Sequence, residues 1–132
     1  MNQLSLKYYI QDFGIEWDYF SNKLKQLTGS VSLVYSNYAL MWIEDIETTA
    51  QNIAKFLAHD GVFYANIYLF ECDYSWMTPE EKNDFEMIIN IPSVEEQINR
   101  WKKALFAAGL VIIECNVIKR KEKIPIVHAN SE

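Results

Sequence analysis

VSLVYSNYALMWIED, residues 31–45, is the stretch that decides the fold predicted for this chain. Its first part, VSLVY, is rich in β-branched and aromatic residues and therefore predicts a strand from Val31 to Tyr35. A helix is predicted next, beginning at Asp45 or Glu47. The apolar stripe of that helix, at spacings of three and four residues, consists of Ala50, Ile53, Ala54 and Leu57.

A second apolar stretch, VFYANIYLF at residues 62–70, follows this helix across a short turn. Gly61 is expected to adopt the left-handed conformation in the turn, as glycine often does after a helix. Residues 62–70 are apolar at nearly every position, which is typical of a strand in the middle of a parallel sheet that helices cover on both faces. Further strands are predicted at residues 7–10, 110–118 and 124–127.

Three more helices are predicted around these strands. Residues 16–27 carry apolar side chains at helical spacing and end before Gly29. The second helix starts with Thr78 as its N-cap, and the third with Ser93, which has a glutamate three residues later. Strands that alternate with helices indicate an α/β layer architecture, here as a single domain spanning residues 1–132.

Composition excludes several classes of protein. The net charge of −6 argues against nucleic acid as a partner, because phosphate binding requires clustered lysine and arginine. Cys72 and Cys115 have neither disulfide-framework nor metal spacing, and both are expected to be buried as small hydrophobic side chains. No signal peptide and no membrane-spanning stretch is recognisable, so a soluble cytoplasmic protein without membrane contact is expected.

The order of these motifs resembles the C-terminal part of class I S-adenosylmethionine-dependent methyltransferases. The resemblance rests on VSLVYS, NYALMW, the acidic pair and helix after it, and LAHDGVF, and on IPSVEE before a helix that contains Trp101. It is greatest for the small-molecule carboxyl methyltransferases, which include the juvenile hormone acid and farnesoic acid O-methyltransferases of arthropods. The likeness covers roughly residues 7–127. It implies the third to sixth strands of a partial Rossmann-like sheet, with or without part of the seventh.

The same resemblance assigns residues to the cofactor, S-adenosylmethionine. Asp12 matches an acidic position that accepts a hydrogen bond from the adenine amino group, and Phe13 is placed beside it in the cofactor site. The alternative for Asp12 is that it caps the helix that follows. Ser36 and Asn37 match the turn after the fourth strand, which borders the methionine part of the cofactor. For these two residues the alternative is an ordinary turn.

On the substrate side, the resemblance points to Trp42, whose indole N–H would donate to a carboxylate. Met41 and Trp76 are placed with it in the substrate site; the alternatives are core packing for Met41 and Trp42 and packing under a surface helix for Trp76. The implied reaction is O-methylation of a small apolar carboxylic acid. A carboxylate is ionised near neutral pH, so no general base and no catalytic side chain is predicted, and no metal.

The glycine-rich turn of the family is missing. The four glycines, Gly14, Gly29, Gly61 and Gly109, form no G-x-G, and the first two strands of the family sheet are absent. We therefore predict a truncated methyltransferase domain that is inactive alone and binds S-adenosylmethionine no more tightly than about millimolar. Loss of the neighbouring strands leaves the edge from Val31 to Tyr35 unpaired, which predicts either that something else covers this edge or that the chain self-associates. The alternatives are a non-catalytic remnant that acts through this edge, and an unrelated small α/β binding domain.

Overall fold

The computed structural model describes residues 6–71, 75–88 and 91–119. Within these ranges it is a mixed α/β structure with four helices and a two-stranded parallel sheet, which confirms the predicted class. The elements in chain order are α1 (Asn22–Lys25), β1 (Val31–Asn37), α2 (Ile46–Phe56), β2 (Leu57–Asn66), α3 (Pro79–Ile88) and α4 (Val94–Ala107). Two short 3-10 turns lie at Trp17–Tyr19 and Leu40–Trp42. The predicted strand at residues 124–127 lies outside the described residues.

The strands β1 and β2 run parallel and are connected by α2. Leu33 lies opposite Val62 and Asn37 opposite Asn66, but the register shifts between Val31 and Leu33. At this shift, a Cβ on Gly61 would lie 2.8 Å from the carbonyl oxygen of Val31, so a larger residue does not fit there. Gly61 is thus required for a close approach of two backbones. The expectation of a left-handed turn at this glycine is wrong, because its φ angle is not positive.

Helix α2 begins where the sequence indicated. The Asp45 carboxylate accepts hydrogen bonds from the backbone N–H of Thr48 at 3.0 Å and from its hydroxyl at 2.8 Å. These two bonds, the backbone one first, hold the pKa of the Asp45 carboxyl below its usual value, because they favour the ionised form. The predicted N-caps Thr78 and Ser93 likewise accept hydrogen bonds from the backbone three residues later.

The core forms between α2, α4 and one face of the sheet. Ala50 and Ile53 of α2 are almost fully buried, and Trp101 and Ala104 of α4 lie in the same cluster. The apolar side chains of the inner sheet face that pack against it are Val34, Phe63 and Ala65. The opposite sheet face remains open, with Leu33, Tyr35, Val62 and Tyr64 exposed. The sheet is therefore covered on one face by the described residues, and not on both as the sequence predicted.

Three predicted strand segments are wrong. Residues 7–10 and 110–118 form no strand, and β2 ends at Asn66 and does not continue through residue 70. Strand backbone requires a hydrogen-bonded neighbour, and the described sheet offers only β1 and β2 to each other. The apolar side chains of these segments consequently face solvent: Ile10 and Ile113 are both more than four-fifths exposed. Cys115, expected to be buried, is exposed for the same reason.

The predicted helix at residues 16–27 is broken in the middle. Phe20 has extended backbone between the 3-10 turn and α1, and the backbone N–H of Ser21 donates to the side chain of Gln11 at 2.9 Å. The ring of Phe20 is 3% exposed and lies edge-on to Phe13, with ring centres 5.3 Å apart. Contacts with residues distant in sequence thus override the local helical pattern. Among the described residues, no helix combines the length and apolar character needed to cross a membrane.

Candidate functional site

The carboxyl ends of β1 and β2 form a polar edge. The amide nitrogen of Asn66 donates to the side-chain oxygen of Asn37 at 3.1 Å. The backbone N–H of Tyr38 donates to the carbonyl oxygen of Asn66 at 2.8 Å, and Tyr38 itself has a left-handed φ of 54°. A bulky residue in this conformation is uncommon and is often found at functional sites. The carboxyl end of parallel strands is also where open α/β sheets bind ligands.

Two cofactor candidates from the sequence lie at this edge. Ser36 is half-buried opposite Ala65, and Asn37 is exposed and bonded to Asn66. The turn that follows is closed by a hydrogen bond from Tyr38 and is therefore a structured turn between the strand and the next 3-10 turn. Cofactor binding by Ser36 and Asn37 stays a prediction; both residues lie at the polar edge described above.

The other two cofactor candidates have local structural roles. The Asp12 carboxylate accepts a hydrogen bond from the backbone N–H of Gly14 at 2.8 Å, which makes a short side-chain turn. The predicted capping role of Asp12 is wrong, because Glu16 is the N-cap of the 3-10 turn that follows. The ring of Phe13 packs against Phe20 and Phe56, so its apolar surface is partly occupied within the protein.

The substrate candidates Met41 and Trp42 lie on the 3-10 turn directly after this edge. Leu40 anchors the turn in the core with 6% exposure, while Met41 is half-buried. Trp42 keeps 77% of its surface exposed, and its ring lies edge-on to Phe70 at 6.5 Å between ring centres. The alternative of Trp42 as a core residue is therefore wrong. Trp76 is 73% exposed, so its predicted packing under a helix is also wrong.

Met41 lines a cleft of about 390 Å³ between this turn, the segment after β2 and helix α4. That volume is near the lower end of the range for small-molecule sites, roughly 300–1,000 Å³. The walls are mostly apolar, with four polar or charged side chains among them: Glu44, Tyr68, Gln97 and Arg100. Trp42 stands at the rim through its contact with Phe70, which belongs to the wall. Trp76 does not line the cleft.

Gln97 fixes the wall of this cleft. Its side-chain nitrogen donates to the carbonyl oxygens of Phe70 at 2.7 Å and of Pro92 at 3.0 Å. Its side-chain oxygen accepts from the backbone N–H of Phe70 at 3.0 Å. Two hydrogen bonds thus tie the segment after β2 to α4, and a third ties Pro92 to the same side chain. The sequence analysis missed Gln97 and Arg100; the available signal was a polar and a basic residue three apart on one helix, beside Trp101.

No protein-family model, curated protein or solved structure matches this chain. The resemblance to carboxyl methyltransferases therefore stays a prediction based on the motifs. Within the described ranges, no group of three or more histidine, cysteine, aspartate or glutamate side chains is arranged to hold a metal ion. The candidate site consists of the polar edge at Asn37 and Asn66 and the cleft beside Met41.

Proposed function

We propose that this chain is part of an S-adenosylmethionine-dependent carboxyl O-methyltransferase and forms the substrate side of the site. The observation that carries the proposal is the cleft itself. Met41 lines it and Trp42 borders it, on a turn that directly follows the carboxyl end of a parallel strand. An apolar cleft beside a tryptophan N–H suits a small carboxylic acid with an aliphatic or terpenoid body.

The proposal assigns no complete cofactor site to the described residues. Asn37 and Asn66 offer polar groups at the edge, but part of their hydrogen-bonding capacity is used between them. Phe13 packs inside the protein, and the glycine-rich turn that would cradle the methionine and ribose is missing from the sequence. The proposed role of this chain accordingly includes no methyl-transfer step. Its own residues hold the acid and keep water away from its apolar part.

Calorimetric titration of the full chain tests both halves of the proposal. Octanoic acid is expected to bind, because its chain fits an apolar cleft and its carboxylate meets donors at the rim. Trp42→Phe keeps the ring but removes the N–H, and it is expected to weaken octanoic acid binding about three- to tenfold. Trp76→Phe is the matched control and is expected to leave the affinity unchanged, because Trp76 does not line the cleft.

S-adenosylmethionine, titrated into the same protein, is expected to bind no more tightly than about millimolar, because a close backbone cradle is lacking. Micromolar binding would show that the missing turn is dispensable and would overturn the incomplete-site interpretation. Absence of octanoic acid binding, or equal affinity of the Trp42→Phe and wild-type proteins, would overturn the substrate role.

A second candidate function, an interaction module, is favoured by the outer sheet face and the free edge of β1. Tyr35 and Tyr64 stack on this face with ring centres 5.6 Å apart, and Leu33 beside them is 56% exposed. Within the described sheet, β1 has a neighbour only on the β2 side. We propose that copies of this chain associate through β1 and this face.

Sedimentation velocity over a range of concentrations tests this association. The wild-type protein is expected to shift to larger species as its concentration rises. Leu33→Lys is expected to shift the population toward the monomer, because a charge on the face opposes burial. The control Leu27→Lys adds the same charge at an exposed leucine outside the sheet and should behave as the wild type. A concentration-independent monomer in the wild type would contradict the proposal.

A further inference from the structure

Arg100 is the cationic side chain of the cleft beside Met41. It lies on α4 next to the buried Trp101, and its own side chain is exposed. Within the ranges that the structure describes, no carboxylate lies within ion-pair distance of its guanidinium. Its hydrogen-bonding capacity is therefore available to a ligand. A guanidinium can present two parallel N–H donors to one carboxylate.

Gln97 and Arg100 have different roles in this wall: Gln97 bonds to the protein itself, and Arg100 is available to a ligand. Gln97, one turn earlier on α4, is committed to Phe70 and Pro92 through its three hydrogen bonds. These bonds hold the wall in place and leave the amide with little capacity for a ligand. Arg100 lies on the helix that Gln97 fixes and lines the cleft, so the place of its backbone beside the apolar walls is defined. A fixed helix positions a recognising group more precisely than a loop does.

The charges that line the cleft favour a monoanion over a dianion as its ligand. Arg100 and Glu44 both line it, and the protein as a whole carries −6. A dianion such as an alkyl phosphate would be repelled by Glu44 with only one cation to compensate. A cationic amphiphile would be repelled by Arg100. A neutral amphiphile would form no charge-assisted hydrogen bond with the guanidinium.

We propose that Arg100 binds the carboxylate of an aliphatic monocarboxylic acid whose apolar chain occupies the cleft lined by Met41, Ile43 and Ile67. The inference rests on the proposed function, since it uses the same cleft, and it adds the residue that selects for charge. Trp42 supplies a neutral donor at the rim, whereas Arg100 supplies the charge. Arg100 is thus a determinant of ligand specificity and has no part in methyl transfer itself.

The test compares octanoic acid, octanol and octylamine as ligands of the full chain by calorimetry at neutral pH. The wild type is expected to prefer the acid. Arg100→Gln is expected to weaken acid binding about five- to tenfold and to leave octanol binding unchanged, because only the acid makes a charge-assisted pair. Lys103→Gln is the matched control. It removes the same charge from the same helix. Lys103 shares a neighbouring shallow groove with Arg100 but does not line the cleft, so an unchanged affinity in this variant assigns the acid to the cleft.

A second variant changes the charge in the opposite direction. Glu44→Gln is expected to strengthen acid binding about twofold, because it removes a like charge from the cleft across a solvent-screened distance. The role of Arg100 would be overturned if the wild type bound acid and octanol equally, or if Arg100→Gln bound the acid as the wild type does. Neither result would contradict binding of an apolar chain in the cleft. Failure of the wild type to bind both octanoic acid and octanol would overturn the inference and the proposed substrate role. A preference for octylamine would assign the cleft to Glu44 and overturn the inference.

Discussion

Replacing Asn52 by aspartate is expected to destabilise the folded chain by about 3–5 kcal/mol at neutral pH, the cost of an uncompensated buried charge. Asn52 is 1% exposed on α2. Its amide nitrogen donates to the carbonyl oxygens of Phe13 at 2.9 Å and of Ile15 at 2.7 Å. Aspartate has nearly the same shape, but its ionised form donates nothing and would face two carbonyl oxygens. The segment at Phe13 and Ile15 would then lose its side-chain hydrogen bonds to α2 and keep only its apolar contacts.

The destabilisation by Asn52→Asp should increase with pH. Burial and the two carbonyl oxygens raise the folded-state pKa of an aspartate at position 52, because they disfavour its ionised form. Below the unfolded-state pKa, about 3.9, the carboxyl is neutral and its single O–H can pair one carbonyl oxygen, so the penalty there is that of the other, unpaired carbonyl. The penalty grows as the pH rises from the unfolded-state pKa towards the folded-state pKa and levels off above it. Urea unfolding monitored by tryptophan fluorescence at pH 7 and at mildly acidic pH measures both free energies.

Two other variants make this prediction specific. Asn52→Leu leaves both carbonyl oxygens unpaired without adding charge, at a cost of about 1–3 kcal/mol for each. Its deficit should not change between the two pH values. Gln51→Glu adds the same charge at the exposed neighbouring residue of α2 and should cost less than about 0.5 kcal/mol. A pH-independent deficit in Asn52→Asp would contradict the carbonyl-pairing role.

Truncation of Ile53 to alanine is expected to cost about 3 kcal/mol in the free energy of unfolding, through lost burial and the cavity left behind. Ile53 is 1% exposed and belongs to the cluster that joins α2 to Trp101 and Ala104 of α4. Ile53 lies between α2 and α4 in this cluster, so its truncation removes contacts that join the two helices. The reduced stability should appear as a lower midpoint in urea unfolding.

The matched control is Ile113→Ala, which removes the same atoms from a side chain that is 89% exposed. Its expected cost is below about 0.5 kcal/mol, because no burial is lost. Equal destabilisation by the two variants would mean that residues 110–118 carry packing that the structure does not show. A variant of Ile53 with wild-type stability would mean that the cluster between α2 and α4 does not hold the fold together.

The features predicted correctly from sequence are those decided within a few residues. Asp45, Thr78 and Ser93 cap their helices through bonds to the backbone three residues later, so the pattern contains the whole interaction. Strand β1 was recognised for a similar reason, because its β-branched and aromatic residues favour extended backbone. The α/β class followed from the order of these elements.

The errors fall where a distant partner decides the outcome. Residues 7–10 and 110–118 have the composition of strands, but composition does not indicate whether a neighbouring strand exists. Phe20 interrupts a helical pattern because Phe13 and Phe56 surround its ring. The cleft could not be predicted from the sequence for the same reason, because its walls come from three separate segments.

The register shift beside Gly61 has a consequence for how this chain can change in length. Helix α2 ends at Phe56 and β2 begins at Leu57, so no connecting loop separates them. Adding one residue to a strand would normally exchange its inward and outward side chains. Here the irregular residues between Leu57 and Val62 lie ahead of the regular pairing from Leu33 onward. An insertion or deletion in this stretch that leaves Gly61 beside Val31 would be absorbed before Phe63 and Ala65, and the inner face of the sheet would keep its side chains.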